Sequence, residues 1–327
     1  MRMFWNALLM TCAFAAAGTI APAAAQTFPN APVHVVVPWP PGSTDVLGRY
    51  LQPEMTKDLG QPVVYENKPG ANGYIGTEYV ARAPADGYTV LLNMTGSVLM
   101  GPLLSKDVKF DVDRDFTPLS GLTTGGWMLA VRKSLPVNTL AEFVAYVKAN
   151  PGKVNYGSPG LGSMPHVVGA SLSQAIGVEM IHVPYRGMVP VLQAIAGGEV
   201  DSSIMAYSSG KPLLDKGEIK ALAFDGADAP SVLAELPDMT KAVPGFQTVR
   251  TLLGFWMPAK TPRPIVERLN ASIRKAAAVP EVLARMSDSR DQVIIGTPEE
   301  FGALVAANHA VAKKVVGSLR AAGVKFE

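Results

Sequence analysis

VHVVVPWPPGSTDVLGRYL, residues 33–51, runs from a β-branched apolar segment through a turn of prolines and small residues into a helix-forming segment. The device returns as VNYGSPGLGSMPHVVGASL at residues 154–172. In both, a strand is predicted to end in a Gly/Ser/Pro loop that opens directly onto a helix. The first N–H groups of a helix have no partner within it, and they lie at the positive end of its dipole. Such a loop suits an anion. Two of them, in two halves of one chain, predict a cleft that holds a negatively charged small molecule.

The same alternation extends outward from both stretches. Strands are predicted at 33–37, 63–66 and near 90, with helices at 45–59 and 77–82. Gly60 and Pro62 stop the first helix. The segment KPGANGYIG reads as a glycine-rich turn. Beyond Pro118 the pattern changes, and WMLAVRK reaches toward a second set of elements. Helices near 140–150, 165–176 and 189–196 then alternate with strands near 154–156, 180–183, 200–205 and 219–223. TLLGFWMPAKTPRP reads as a proline-rich connection, followed by helices near 264–278, 281–287 and 298–321. Alternating strands and helices predict parallel sheets with helices on both faces. The fold class is therefore α/β, with two doubly wound lobes joined by a two-strand hinge. Residues 26–125 with 256–327 are expected to form lobe 1, and 126–255 lobe 2. Ligands sit where such domains meet, beyond the carboxyl ends of strands.

Residues 1–25 read as an export signal. Arg2 supplies the positive start, an apolar run follows to about Ile20, and Ala23, Ala24 and Ala25 offer a cleavage site. Gly18 and Pro22 break the run short of a membrane span. The single cysteine, Cys12, lies inside this leader, so cleavage leaves a chain without thiols. The 48% hydrophobic and 17% charged content marks an ordered globular chain. A net charge of +2 with scattered Lys and Arg argues against a nucleic-acid surface. The protein is expected in the periplasm, as a monomer, with no membrane insertion after cleavage.

Enzyme signatures are missing from the sequence. Ser158 lacks the Gly two residues earlier that a nucleophile elbow needs. Gly70, Gly73 and Gly76 do not have dinucleotide-loop spacing. The four histidines are far apart in sequence, so no metal site and no cofactor are expected. Attention falls instead on the strand ends. Pro41, Gly42, Ser43 and Thr44 expose N–H and hydroxyl groups at a helix start; ordinary capping by Thr44 or Asp45 is the plainer alternative. Trp39 reads equally as a cleft wall or a core residue, and Asp45 as a cap or a partner for a ligand amine. Thr95 and Ser97 close the third strand in the same way. Ser158, Gly160, Gly162 and Ser163 repeat the device, with Ser163 as N-cap and Pro165 in the first turn. His166 suits a structural hydrogen bond or a ligand contact. Arg186, after Tyr185, suits a carboxylate or an inter-element salt bridge. Ala206 and Tyr207 follow the strand VDSSIM.

Four stretches now stand out together: VVVPWPPGSTDVLGR, ENKPGANGYIGTEYVARAPADGYTVLL, LPVNTLAEFVAYVKANPGKVNYGSPGLGSMPH and HVPYRGMVPVLQAIAGGEVD. With the leader, they resemble the solute-binding proteins of tripartite tricarboxylate transporters, the Bug-type receptors. The resemblance spans nearly the whole mature chain. It implies a two-lobed fold of the type II periplasmic binding proteins, closing on a small carboxylate and delivering it to a permease of one large and one small membrane subunit. The family loop Pro-x-x-Pro-Gly-Gly-x-x-Asp, which grips a carboxylate through N–H groups and water, is matched by Pro38, Pro41, Gly42 and Asp45. It is one residue shorter here, and Ser43 replaces a glycine. The family's Ser-x-Gly-x-Gly-Ser maps onto Ser158, Gly160, Gly162 and Ser163; His166, Tyr185 and Arg186 also match. Two rival functions are a periplasmic sensor feeding a signalling kinase and a secreted hydrolase using Ser163 with His166.

Overall fold

The computed structural model describes residues 28–225, 233–287 and 292–326; the leader lies outside them. The chain begins β1 (Val33–Val37), α1 (Ser43–Leu59), β2 (Val63–Asn67), a 3-10 turn (Ala71–Gly73) and α2 (Tyr74–Ala81). It continues with β3 (Thr89–Met94), α3 (Thr95–Leu104), α4 (Val112–Asp115) and β4 (Phe116–Gly125). The middle of the chain supplies β5 (Met128–Arg132), α5 (Leu140–Ala149), β6 (Asn155–Ser158), α6 (Met164–Ile176) and β7 (Ile181–Pro184). After it come α7 (Met188–Gly197), β8 (Ser202–Met205), α8 (Tyr207–Asp215), β9 (Ile219–Phe224) and α9 (Met239–Ala242). The chain returns through β10 (Thr251–Pro258), α10 (Arg263–Ala277), α11 (Pro280–Ser287), β11 (Gln292–Val293) and α12 (Pro298–Ala321).

Two sheets result, ordered β11-β4-β10-β3-β1-β2 and β7-β6-β8-β5-β9. Each contains a parallel block, β2-β1-β3 or β7-β6-β8, built by successive helical crossovers. The expected parallel pairing holds in these blocks, and the sheets are mixed, because β10, β4, β5 and β9 join by antiparallel pairing. The cause is the double passage between lobes. A strand that arrives from the other lobe enters the sheet from the opposite end.

The main correction is β10. The segment read as a proline-rich connection is a buried strand held between β3 and β4. Residues 251–255 therefore lie in the first sheet, although the sequence reading put them in the second lobe. Thr251 pairs with Gly125, and Asp225 N–H donates to the Trp127 carbonyl at 2.9 Å, so the two passages run side by side.

Each sheet has its own core. The first packs α1 and α10 on one face, around Leu51, Phe255, Leu269 and Ile273. The second is centred on Phe143, Tyr156, Leu172 and Ile204. A further apolar cluster crosses between them, with Met100 and Leu104 of α3, Val167 and Ala170 of α6, and Val315, Val316 and Leu319 of α12. Among the described residues, no helix is long and apolar enough to cross a membrane.

Candidate functional site

Six helices follow the parallel strands, three in each lobe; Tyr74 brings the start of α2 to one cavity, and four others also begin around it. Its volume is about 430 Å3. Gly96 and Ser97 bring the first turn of α3 to it, and Met164 and Pro165 that of α6. Gly187 and Met188 bring the start of α7, and Ala206 and Ser209 that of α8. None of these four helices has an acidic residue in its first turn. The starts of α3, α7 and α8 also lack a side-chain cap. The positive ends of their dipoles thus lie at the cavity without a local carboxylate or side-chain cap.

The start of α1 differs. Gly42 is its N-cap and the helix begins at Ser43, so Thr44 is not the cap, while Asp45 takes the capping alternative through a capping box. Asp45 is the third helical residue and reaches back. Its Oδ1 accepts the Gly42 N–H at 2.7 Å, while Oδ2 accepts from Arg49 Nε at 2.9 Å. Burial pushes the Asp45 carboxyl up, but the Gly42 N–H and the Arg49 guanidinium outweigh it and hold it below its ordinary value. This helix end carries its own anion. Pro41 and Gly42 are exposed and line neither this cavity nor the next.

Trp39 does line the cavity, and its surroundings fix it. Its indole N–H donates to Asn93 Oδ1 at 2.9 Å, and its carbonyl accepts from Asn67 Nδ2 at 2.9 Å. Beneath it lies Gly73, at φ +83, where a Cβ would meet Trp39 Cζ2 at 3.2 Å and Ser97 Oγ at 2.9 Å. The glycine-rich turn KPGANGYIG is thereby part of the site wall, and it also contributes Asn72 and Tyr74. Past Met94, Trp127, Ala206 and Thr251 the cleft continues into a second chamber of about 430 Å3. Thr44, Leu47 and Tyr50 line that chamber, with Arg285 at its rim.

Of the residues singled out from sequence, Trp39, Ser97, Gly162, Ser163 and Ala206 meet at the first cavity, and Thr44 at the second. Ser43 belongs to the first turn of α1. Others are engaged elsewhere. The Thr95 hydroxyl donates to the Arg250 carbonyl at 3.2 Å and accepts the Leu252 N–H at 3.0 Å, tying α3 to the returning strand. Ser158 is fully buried, with Oγ 2.7 Å from His182 Nε2 and a bond to the Gly160 carbonyl. His166 is buried, and its Nδ1 accepts the Gly162 N–H at 3.1 Å. The two imidazoles stack at 3.8 Å, so histidines distant in sequence are neighbours in the fold. Burial pushes both down to about 4, helped at His166 by the other ring. Tyr185 is half-buried, Arg186 is exposed and Tyr207 is buried in the second lobe; none lines the cavity.

The hydrolase pair also comes apart. Ser163 Oγ donates to the Gly160 carbonyl at 2.7 Å and accepts the His166 N–H at 3.4 Å as an N-cap. The His166 ring turns instead to Gly162, so no base is aligned on that hydroxyl. Among the described residues, no group of three metal-ligating side chains occurs.

Sequence reasoning missed Tyr74, Met94, Trp127, Met164, Met188 and Thr251 as cavity residues. The methionines carried no signal, because an apolar residue at a helix start reads as core. Trp127 and Thr251 flank the passages between lobes, and their position depended on seeing β10 as a strand.

Two α/β lobes with strand ends facing one inter-lobe cavity define a solute-binding protein, a class without catalytic machinery. The family model for the tripartite tricarboxylate transporter family receptor matches residues 47–319. The chain belongs to that family. It is 36% identical to the UPF0065 protein in the tcbD-tcbE intergenic region of Pseudomonas sp. (strain P51), over 84% of this chain and 82% of that one. A solved R. palustris protein with adipate is 32% identical with a TM-score of 0.77, covering 90% of this chain and 98% of that one. MatC from Rhodopseudomonas palustris with bound malate is 32% identical with a TM-score of 0.73, covering 88% and 100%. The family and these neighbours are binding proteins and not enzymes.

Proposed function

We propose that this chain is an exported periplasmic receptor. It captures a small organic carboxylate between its lobes and passes it to the large and small membrane subunits of a tripartite tricarboxylate transporter. One observation carries the reading: four helix starts without first-turn acids converge on a cavity whose described lining residues include no charged side chain. Such a site favours one negative charge supplied from outside. Each helix end adds about 0.3–1 kcal/mol, and each N–H or hydroxyl bond to the anion about 1.5–3 kcal/mol before ordering and desolvation are deducted. Because the helices come from both lobes, the ligand favours the closed arrangement through its differential affinity. Adipate and malate in two relatives are consistent with a carboxylate ligand.

Isothermal titration against mono-, di- and tricarboxylates tests this. At least one is expected to bind, and its amide counterpart is not. Ser209→Asp, which places a fixed carboxylate in the first turn of α8, is expected to weaken binding at least about tenfold by occupying the anion's place. Ser209→Ala is expected to change it little. Folded protein that binds no carboxylate, or Ser209→Asp binding unchanged, overturns the reading.

A further inference from the structure

From the walls of the cavity we infer that the preferred ligand is a monocarboxylate with a flat apolar body, an aromatic acid, with its ring against Trp39 and Trp127. This rests on the reading of the cleft as a carboxylate site and adds the chemistry of the rest of the ligand.

The argument starts from what the side chains have left to offer. Both indole N–H groups are committed, that of Trp39 to Asn93 Oδ1 at 2.9 Å and that of Trp127 to the Val249 carbonyl at 3.0 Å. Each tryptophan therefore presents carbon surface to the cavity and no donor. The Ser97 hydroxyl donates to the Asn72 carbonyl at 2.8 Å, and that of Ser163 to the Gly160 carbonyl at 2.7 Å. Around them stand Met94, Met164 and Met188, polarizable side chains that adapt to an aromatic edge. Donors for an anion thus come from main-chain helix starts and from polar side chains such as Ser209 and Thr251, while much of the remaining wall is aromatic and thioether.

Charge decides against a second carboxylate. No described residue lining the first chamber carries a charge. The one cation lining the second is Arg285, whose side chain is 57% exposed and already paired with Glu281 at 2.6 Å. The starts of α6, α7 and α8 belong to the second lobe and those of α2 and α3 to the first; the apolar wall is likewise shared, with Trp39, Tyr74 and Met94 from the first lobe and Trp127, Met164 and Met188 from the second. A ligand with one charged end matches a cavity whose described lining has helix starts but no charged side chain. A short dicarboxylate would bury its second charge against carbon, where an unpaired ion is strongly disfavoured. Stacking on a fixed indole favours a planar body over a flexible chain, which loses rotamer freedom on binding.

The test compares benzoate and phenylacetate with adipate, malate and the neutral benzamide by titration calorimetry. An aromatic monocarboxylate is expected to bind at least about tenfold more tightly than adipate or malate, and benzamide not to bind. Trp39→Phe, which keeps a ring but not the bond to Asn93, is expected to hold aromatic affinity within about threefold; Trp39→Ala is expected to lose at least about tenfold. Melting curves on both variants establish that they fold. Tightest binding of adipate or malate overturns this inference and leaves the carboxylate reading standing. Failure of every acid overturns both. Aromatic binding unaffected by Trp39→Ala removes the stacking wall and with it the inference.

Discussion

Histidines 166 and 182 show how residue chemistry divides between ligand and fold. In the sequence, His166 follows a small-residue loop and invites a ligand contact. It instead accepts the Gly162 N–H within its own loop and stacks on the His182 ring, which parallel pairing of β6 with β7 places opposite Tyr156. That register joins residues many positions apart, and no local pattern reveals it. Ser158 is diverted for the same reason. The pair has a measurable signature. Both rings are pushed down to about 4 from an ordinary value near 6.5. Above pH 6.5 they are neutral folded or unfolded. As pH falls from there toward 4, only the unfolded chain takes up their protons, so stability is lost across that window. Asp225 acts with opposite sign, since burial pushes it up to about 6 and the folded state holds its proton more tightly below that pH. The comparison that isolates the histidines is thus wild type against His182→Gln. The melting temperature of the wild type is expected to fall more steeply between pH 7 and pH 5 than that of the variant.

At the scale of elements, the parallel blocks, α1, α6 and the last three helices were legible because each shows its own period or cap. β4 and β10 were not. Pro118 interrupts β4, and it is tolerated beside a register irregularity opposite Phe255 and Trp256. Gly121 and Gly254 face each other across the same pair at a second irregularity. Prolines and glycines read as breakers unless the partner strand is known. Gly254 has a further reason to lack a side chain: a Cβ there would meet Phe301 Cζ at 2.2 Å. Phe301, at the start of α12, is fully buried against Trp256, with ring centroids 4.9 Å apart. Gly254→Ala is expected to destabilise by about 1–3 kcal/mol through overpacking, read from urea unfolding. A second change, Phe301→Leu, makes room and is expected to recover part of that loss.

For the whole molecule, two similar halves and a cleft between them could be read from the repeated device in the sequence. The identity of the helix starts that face the cleft could not, because it depends on how one lobe sits on the other. That seating is fixed on one side by the cluster that joins α3 and α12 to α6. Ser318 Oγ lies 3.0 Å from Gln174 Oε1, and Phe326 packs 5.4 Å from the His166 ring. Phe326→Ala is expected to cost up to about 3 kcal/mol, and to raise the radius of gyration of the ligand-free protein in X-ray scattering, with saturating carboxylate restoring it.

The seam also sets how a solute gets in. Parting α12 from α6 would wet a strip of carbon surface, so the halves do not draw apart evenly. They are expected to swing about that flank like a book along its spine, with the aperture widening on the far edge. Gly96 and Met164 face each other across the cleft so closely that a Cβ on Gly96 would lie 2.9 Å from Met164 Cγ, which makes this point the innermost crease of the page. Solute is therefore expected to enter and leave on the side remote from the final helix.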